Sequence, residues 1–260
     1  MILYITIDGV RPDGIQEANT PTFDALQKEG SYSFKARSVM PTSTLPCHMS
    51  IFHSVPPERH NILTNTYTPM VRPVPGLIDV LYQAGKTTAM YYSWEPLRDI
   101  SRPLNLTHVD FSAYAGDYEV SDDRIVKRAI PYLKAGEFDF NFLYIGSVDE
   151  CGHVHGWMSE TYLKQIEHID MLLGQVIENL PGNTTLLMQS DHGGHDRTHG
   201  TDLDEDMLIP WLFWGEKARK GLALESDISL LDTAPTLVHL LDINSPSVWE
   251  GQIISEALKE

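Results

Sequence analysis

Residues 2–8 read ILYITID, six strand-forming residues that end on Asp8. Two later stretches have the same form: residues 140–149, FNFLYIGSVD, which ends on Asp149, and residues 184–191, TTLLMQSD, which ends on Asp191. Short apolar runs rich in β-branched and aromatic residues alternate along the chain with segments of helical periodicity. That alternation is the pattern of an α/β fold with a largely parallel sheet. Strands are expected at residues 2–7, 87–93, 138–145, 184–189 and 210–214, with a further one at 31–36. In a parallel sheet the carboxyl ends of the strands lie along one edge, where open α/β sheets form their ligand sites, so the three aspartates are expected to converge there.

Helices are marked by their caps as well as by period. Thr20 and Pro21 open one that Gly30 closes, and Ser121 with Asp122 and Asp123 opens another. Between Ser159 and Asn179, Leu163, Ile166, Ile169, Leu173, Val176 and Ile177 recur at three- and four-residue steps and form one apolar face. Further helices are expected from about Leu45, near Leu77 to Ala84 and near Thr233 to Leu241. The pattern is weakest from Ser93 to Val120, read as a small cap or loop region at about 94–120 within one domain spanning 1–260.

The chain has 260 residues, 42% of them hydrophobic, and a formal charge of −17. That charge argues against a nucleic-acid polymer or an anionic membrane as partner, because sequence-independent binding of either needs clustered Lys and Arg. No apolar stretch approaches the roughly 20 residues that span a bilayer. Only Cys47 and Cys151 are present, without finger or disulfide spacing, which predicts free thiols and a cytoplasmic protein. The triplets beginning at Asn105 and Asn183 fit a glycosylation pattern but are read as chance matches.

Histidines give the strand-end aspartates their chemical meaning. Asp149 and His153 are four apart in DECGHVHG, so one helical turn after the strand points both side chains the same way. Asp191 and His192 are adjacent in SDHGGHDRTHG, where Gly193 and Gly194 permit a bent backbone. His195 and His199 follow in the same loop. Carboxylate oxygen mixed with imidazole, and no paired thiolates, suits Zn²⁺ first and Mn²⁺ second. The segment PTSTLPCH, residues 41–48, adds three hydroxyls before a helix, and a hydroxyl there has free backbone N–H groups and the positive helix end beside it. Local pattern does not choose among Thr42, Ser43 and Thr44.

These motifs, together with IDGVRPD at 7–13, TPTFDALQKEG at 20–30, PPERHNI at 56–62 and LLDTAPTLVHLLDI at 230–243, resemble the alkaline phosphatase superfamily, above all its type I phosphodiesterase/nucleotide pyrophosphatase branch. The resemblance runs in order from residue 2 to about 243. It implies an alkaline phosphatase-like three-layer sandwich and a two-metal hydrolase of a small phosphate ester, a phosphodiester or nucleotide pyrophosphate. It implies Thr44 as nucleophile through a phosphothreonine intermediate, with Asn65 contacting the phosphoryl oxygen. One metal then belongs to Asp8, Thr44, Asp191 and His192, and the other to Asp149, His153 and a third histidine, for which His199 is chosen over His195. A phosphomonoesterase of the same superfamily and a non-catalytic metal- or ligand-binding module are the alternatives. Arg11 would serve a monoester site if it reached the phosphate, and a rim salt bridge is its competing role. Tyr67, Trp94, Phe111 and Tyr114 are candidates to pack against a leaving group.

Overall fold

In the computed structural model, which describes residues 1–101, 103–113 and 118–259, eight strands form one sheet. They are β1 (Ile2–Ile7), β2 (Ser31–Arg37), β3 (Thr88–Tyr92), β4 (His108–Phe111), β5 (Phe140–Ile145), β6 (Thr185–Gln189), β7 (Leu208–Gly215) and β8 (Leu222–Ala223). Their order is β4-β3-β5-β1-β6-β7-β2-β8. Every pairing from β4 to β6 is parallel, and β7 alone runs against its neighbours.

The helices are α1 (Pro12–Glu17), α2 (Pro21–Glu29), α3 (Thr44–His53), α4 (Pro57–His60), α5 (Leu77–Gln83), α6 (Tyr118–Ala135), α7 (Ser147–His155), α8 (Glu160–Glu178), α9 (Asp204–Met207) and α10 (Thr233–Leu240). They cover both faces of the sheet. Alternate residues of β1 feed separate cores: Ile2 and Tyr4 pack with residues of α3, α5 and α10, while Leu3, Ile5 and Ile7 pack with residues of α2, α6 and α8. Burial on both faces is why this central strand reads as an unbroken apolar run. The result is a three-layer α/β sandwich. No helix among the described residues is long and apolar enough to cross a membrane.

Two local readings change. Within 94–120, His108–Phe111 forms the edge strand β4, paired in parallel with β3. Four residues on one open edge leave too little alternation for the sequence to announce. Asp122, expected to cap its own helix, lies inside α6 and instead accepts from the N–H groups of Gly146 and Ser147, fixing the start of α7. The long helix α8 does carry a cap, with the Ser159 side chain accepting from Tyr162 N–H.

The register brings the strand ends together. Ile7 pairs with Ile145, and Thr6 with both Tyr144 and Gln189. Asp8, Asp191 and helix α7 therefore leave adjacent strands at one height, and Asp8 N–H bonds back to Ile145 O at 2.8 Å.

Candidate metal centre

Asp8, Asp191 and His192 form one group whose ligand atoms all lie within 4.8 Å of one another. All three are buried. His192 Nε2 is 3.3 Å from Asp8 Oδ1 and 3.6 Å from Asp191 Oδ2. Tyr144 on β5 donates to Asp8 Oδ2 at 2.6 Å. Asp8 Oδ1 and both carboxylate oxygens of Asp191 are buried with no hydrogen-bond donor. A buried carboxylate oxygen without a partner costs several kcal/mol in principle, so the donor set fits a cation. Burial, with Asp191 and Asp149 close by, pushes the Asp8 carboxyl well above its ordinary pKa.

The second group is Asp149, His153 and His199, again with ligand atoms within 4.8 Å. His153 Nε2 lies 3.4 Å from Asp149 Oδ2, His199 Nε2 lies 3.6 Å from Asp149 Oδ1, and the two Nε2 atoms are 3.2 Å apart. Burial alone would raise the Asp149 carboxyl, but the bond from His153 and the other histidines around it hold it below the usual range. Asp149 in turn raises the His153 imidazole to about 9, whereas burial lowers His199 to about 4. A site that draws a proton between three ligand atoms also suits a metal cation. The two groups touch, since the His192 and His199 rings stack with centroids 3.9 Å apart.

The three histidines share one device. His192 Nδ1 meets Gly193 O at 2.8 Å, His153 Nδ1 meets Arg197 O at 3.0 Å, and His199 Nδ1 meets Thr42 O at 2.6 Å. A carbonyl only accepts, so Nδ1 carries the proton. Each Nε2 is thereby directed into its group, as metal-ligating imidazoles require.

Thr44 opens α3, and its Oγ1 lies 3.4 Å from His192 Nε2. The Thr42 hydroxyl is engaged elsewhere, donating to Thr201 O and accepting from Gly200 N–H, both at 3.0 Å. Thr42 thus holds the loop that carries His199. Asn65 Oδ1 accepts from Leu45 N–H at 3.0 Å. That bond engages a backbone donor expected to face a phosphate. His195 stays outside both groups and pairs with Asp206 Oδ1 at 2.7 Å. Arg11 is in a salt bridge, forked onto Asp13 at 2.9 and 2.5 Å, and also donates to Gly194 O. Cys47 and Cys151 are both buried and not joined in a disulfide. Tyr67 lines a cavity of about 450 Å³ with Met49, His53 and Arg98, Trp94 packs against the core, Phe111 meets the Tyr92 ring at a tilt of 42°, and Tyr114 lies outside the described residues.

Three residues near the ligands were not read from the sequence: Tyr144, His48 and Trp157. His48, one turn beyond Thr44 on α3, donates from Nδ1 to Thr44 O at 2.8 Å and lies 3.4 Å from Asp191 Oδ2. The four-residue spacing in PTSTLPCH was the available signal. Tyr144 had none, because it is one of six buried residues of β5.

A three-layer α/β sandwich with aspartate and histidine groups at the carboxyl ends of its strands defines a member of the alkaline phosphatase superfamily. Within it, the model of the type I phosphodiesterase / nucleotide pyrophosphatase family matches residues 2–209, and the chain belongs to that family. Human ectonucleotide pyrophosphatase/phosphodiesterase family member 1 is 26% identical over 216 residues, 74% of this chain and 23% of that protein, so the chain spans about a quarter of that relative's length. Among solved structures, human ectonucleotide pyrophosphatase/phosphodiesterase 5 superposes with a TM-score of 0.84 at 19% identity and covers all of both chains. The murine form of that protein, an inactive threonine-to-alanine variant in complex with AMP, gives a TM-score of 0.81 at 18% identity over 99% of each chain.

Proposed function

We propose that this protein is a two-metal hydrolase of small phosphodiesters or nucleotide pyrophosphates, with Thr44 as nucleophile. The observation that carries the reading is the position of Thr44 Oγ1, buried at the start of α3 and 3.4 Å from His192 Nε2, where the two ligand groups meet. Asp8, Asp191 and His192, with the Thr44 oxygen, would hold one divalent ion, and Asp149, His153 and His199 the other, zinc being preferred and manganese next. When bound, the ions supply Lewis-acid charge to the nucleophile, the phosphoryl oxygens and the leaving group.

The chain's own residues do the rest. Thr44 Oγ1 attacks phosphorus, its proton passing to solvent water, and a phosphothreonine forms as the P–O bond to the leaving group breaks and the leaving oxygen departs to be protonated from solvent. Water then cleaves the bond between phosphorus and Thr44 Oγ1, restoring the hydroxyl. Two displacements give net retention at phosphorus. The Asn65 amide, anchored through Leu45 N–H, donates to a phosphoryl oxygen, and His48 fixes the Thr44 backbone.

A diester is favoured over a monoester because Arg11, the cation considered for a dianionic phosphate, is committed to Asp13 and Gly194 O. The AMP bound by the murine neighbour supports a nucleotide-derived substrate. Protein loaded with zinc or manganese is expected to hydrolyse bis(p-nitrophenyl) phosphate faster than p-nitrophenyl phosphate. The reverse preference would assign it to the phosphomonoesterases, and no turnover of either by fully loaded protein would favour a binding module.

A further inference from the structure

Trp157 lies just beyond the DECGHVHG segment, in the turn between α7 and α8. The indole is almost fully buried. Its Nε1–H donates to Gly9 O at 2.9 Å, next to Asp8. Its ring stands edge-to-face on His153, with centroids 5.1 Å apart and planes at 87°, and on His199 at 6.0 Å and 73°. Its backbone N–H bonds to Asp196 O at 2.8 Å, inside the loop that carries His199.

Two glycines make room for this ring. A Cβ on Gly152 would come within 2.6 Å of the indole, and one on Gly194 within 2.2 Å. Neither distance is compatible with a side chain, so the indole is seated directly on the backbone before His153 and on the backbone leading to His199. Gly9 O is held by a second donor, Tyr162 OH, at 2.9 Å, so the strap that carries Asp8 is fixed against the same ring. The 153 and 199 imidazoles, in direct contact with centroids 5.0 Å apart, are thus backed by one rigid aromatic ring as well as held by their own carbonyl bonds.

We propose that Trp157 is a positioning residue for the second ligand group: the indole backs His153 and His199 from one side, fixes their orientation and thereby sets that group's affinity for its metal, and its emission reports when that metal binds. The inference rests on the two-metal reading above. Loss of a partner that orients metal-ligating histidines typically weakens metal binding by about 10–100-fold.

The test is a Zn²⁺ titration of the full chain, stripped of metal, against a competing chelator, with tryptophan emission followed in parallel. His153→Gln and His192→Gln assign the two binding steps to their groups. Trp157→Ala is expected to weaken the step lost in His153→Gln by about 10–100-fold while the other moves less than about threefold, and Trp157→Phe, which keeps an aromatic wedge, is expected to recover most of the loss. In the wild type the emission changes with the second-group step, and in Trp157→Phe most of that change disappears although four tryptophans remain. Unchanged affinities in Trp157→Ala, or equal weakening of both steps, would overturn the proposal. If Trp157→Ala does not fold, an emission change that survives intact in Trp157→Phe overturns it instead. Fewer than two zinc ions bound by the wild type is a separate outcome that refutes the two-metal reading itself.

Discussion

The two ligand groups are built from the same residue types but on different supports. The Asp8, Asp191 and His192 side chains are at most 1% exposed, set on strand ends and covered by α3, with Tyr144 bonded to Asp8. In the second group His153 is 38% exposed and His199 stands on a long loop tied down by Thr42 and Thr198. The closed group holds three buried carboxylate oxygens without a hydrogen-bond donor, Asp8 Oδ1 and both of Asp191, whereas in the open group Asp149 Oδ1 is the one so placed. There Asp149 raises the His153 imidazole, whose Nε2 lies 3.2 Å from that of His199. In the proposed mechanism, a closed site beside Thr44 would limit stray hydrolysis, whereas an open one would admit the water that the second displacement consumes.

The largest expected effect separates the groups by chemistry. Thr44→Ala should cut turnover on the order of a thousandfold or more, since removal of a nucleophile leaves only binding and electrostatic catalysis. Zinc bound per chain, measured by elemental analysis, should stay at two. Retained turnover would mean that the closed group does not serve a threonine nucleophile.

A smaller effect tests the support of the closed group. Tyr144→Phe removes the phenol that donates to Asp8 Oδ2 at 2.6 Å, and should weaken the closed group's zinc affinity by about 10–100-fold with the open group unchanged. Calorimetric titration that showed both affinities falling together would dissolve the contrast between the two supports.

The smallest effect concerns the open group without metal. The His153 imidazole is raised from its ordinary value to about 9, so the stability it adds is fully present below about pH 6.5 and is lost as pH rises through about 9. The lowered Asp149 carboxyl contributes above its ordinary range and loses its share as pH falls. The difference in melting temperature between metal-free wild type and His153→Gln should therefore narrow from pH 6 to pH 9.5. A widening gap would show that His153 is not the proton carrier of the pair. Because His153 is partly exposed, solvent screening keeps this effect modest.

The comparison also divides what was legible. Asp8, Asp149 and Asp191 could be read because each follows a buried strand, and parallel topology aligns strand ends whatever the loops do. Asp149 and His153 could be paired because four residues make one turn of α7. The choice of Thr44 over Thr42 and Ser43 came from resemblance. In the fold, Thr42 turns its hydroxyl to the loop at 200–201, while Thr44 Oγ1 faces His192. The edge strand β4 escaped notice for want of length, and α1, only six residues long, for want of period.

The sequence by itself determined the alternating α/β order, the three aspartates at one sheet edge and the helical pairing of Asp149 with His153, because periodicity and chain order are local properties. Only the tertiary structure decided that His199 joins Asp149 while His195 pairs with Asp206, that Tyr144 bonds to Asp8, and that Trp157 wedges behind two imidazoles. Each of those outcomes depends on a partner far away in the chain. A loop's conformation follows from the groups that satisfy its backbone and side chains, and those groups are brought near only by folding.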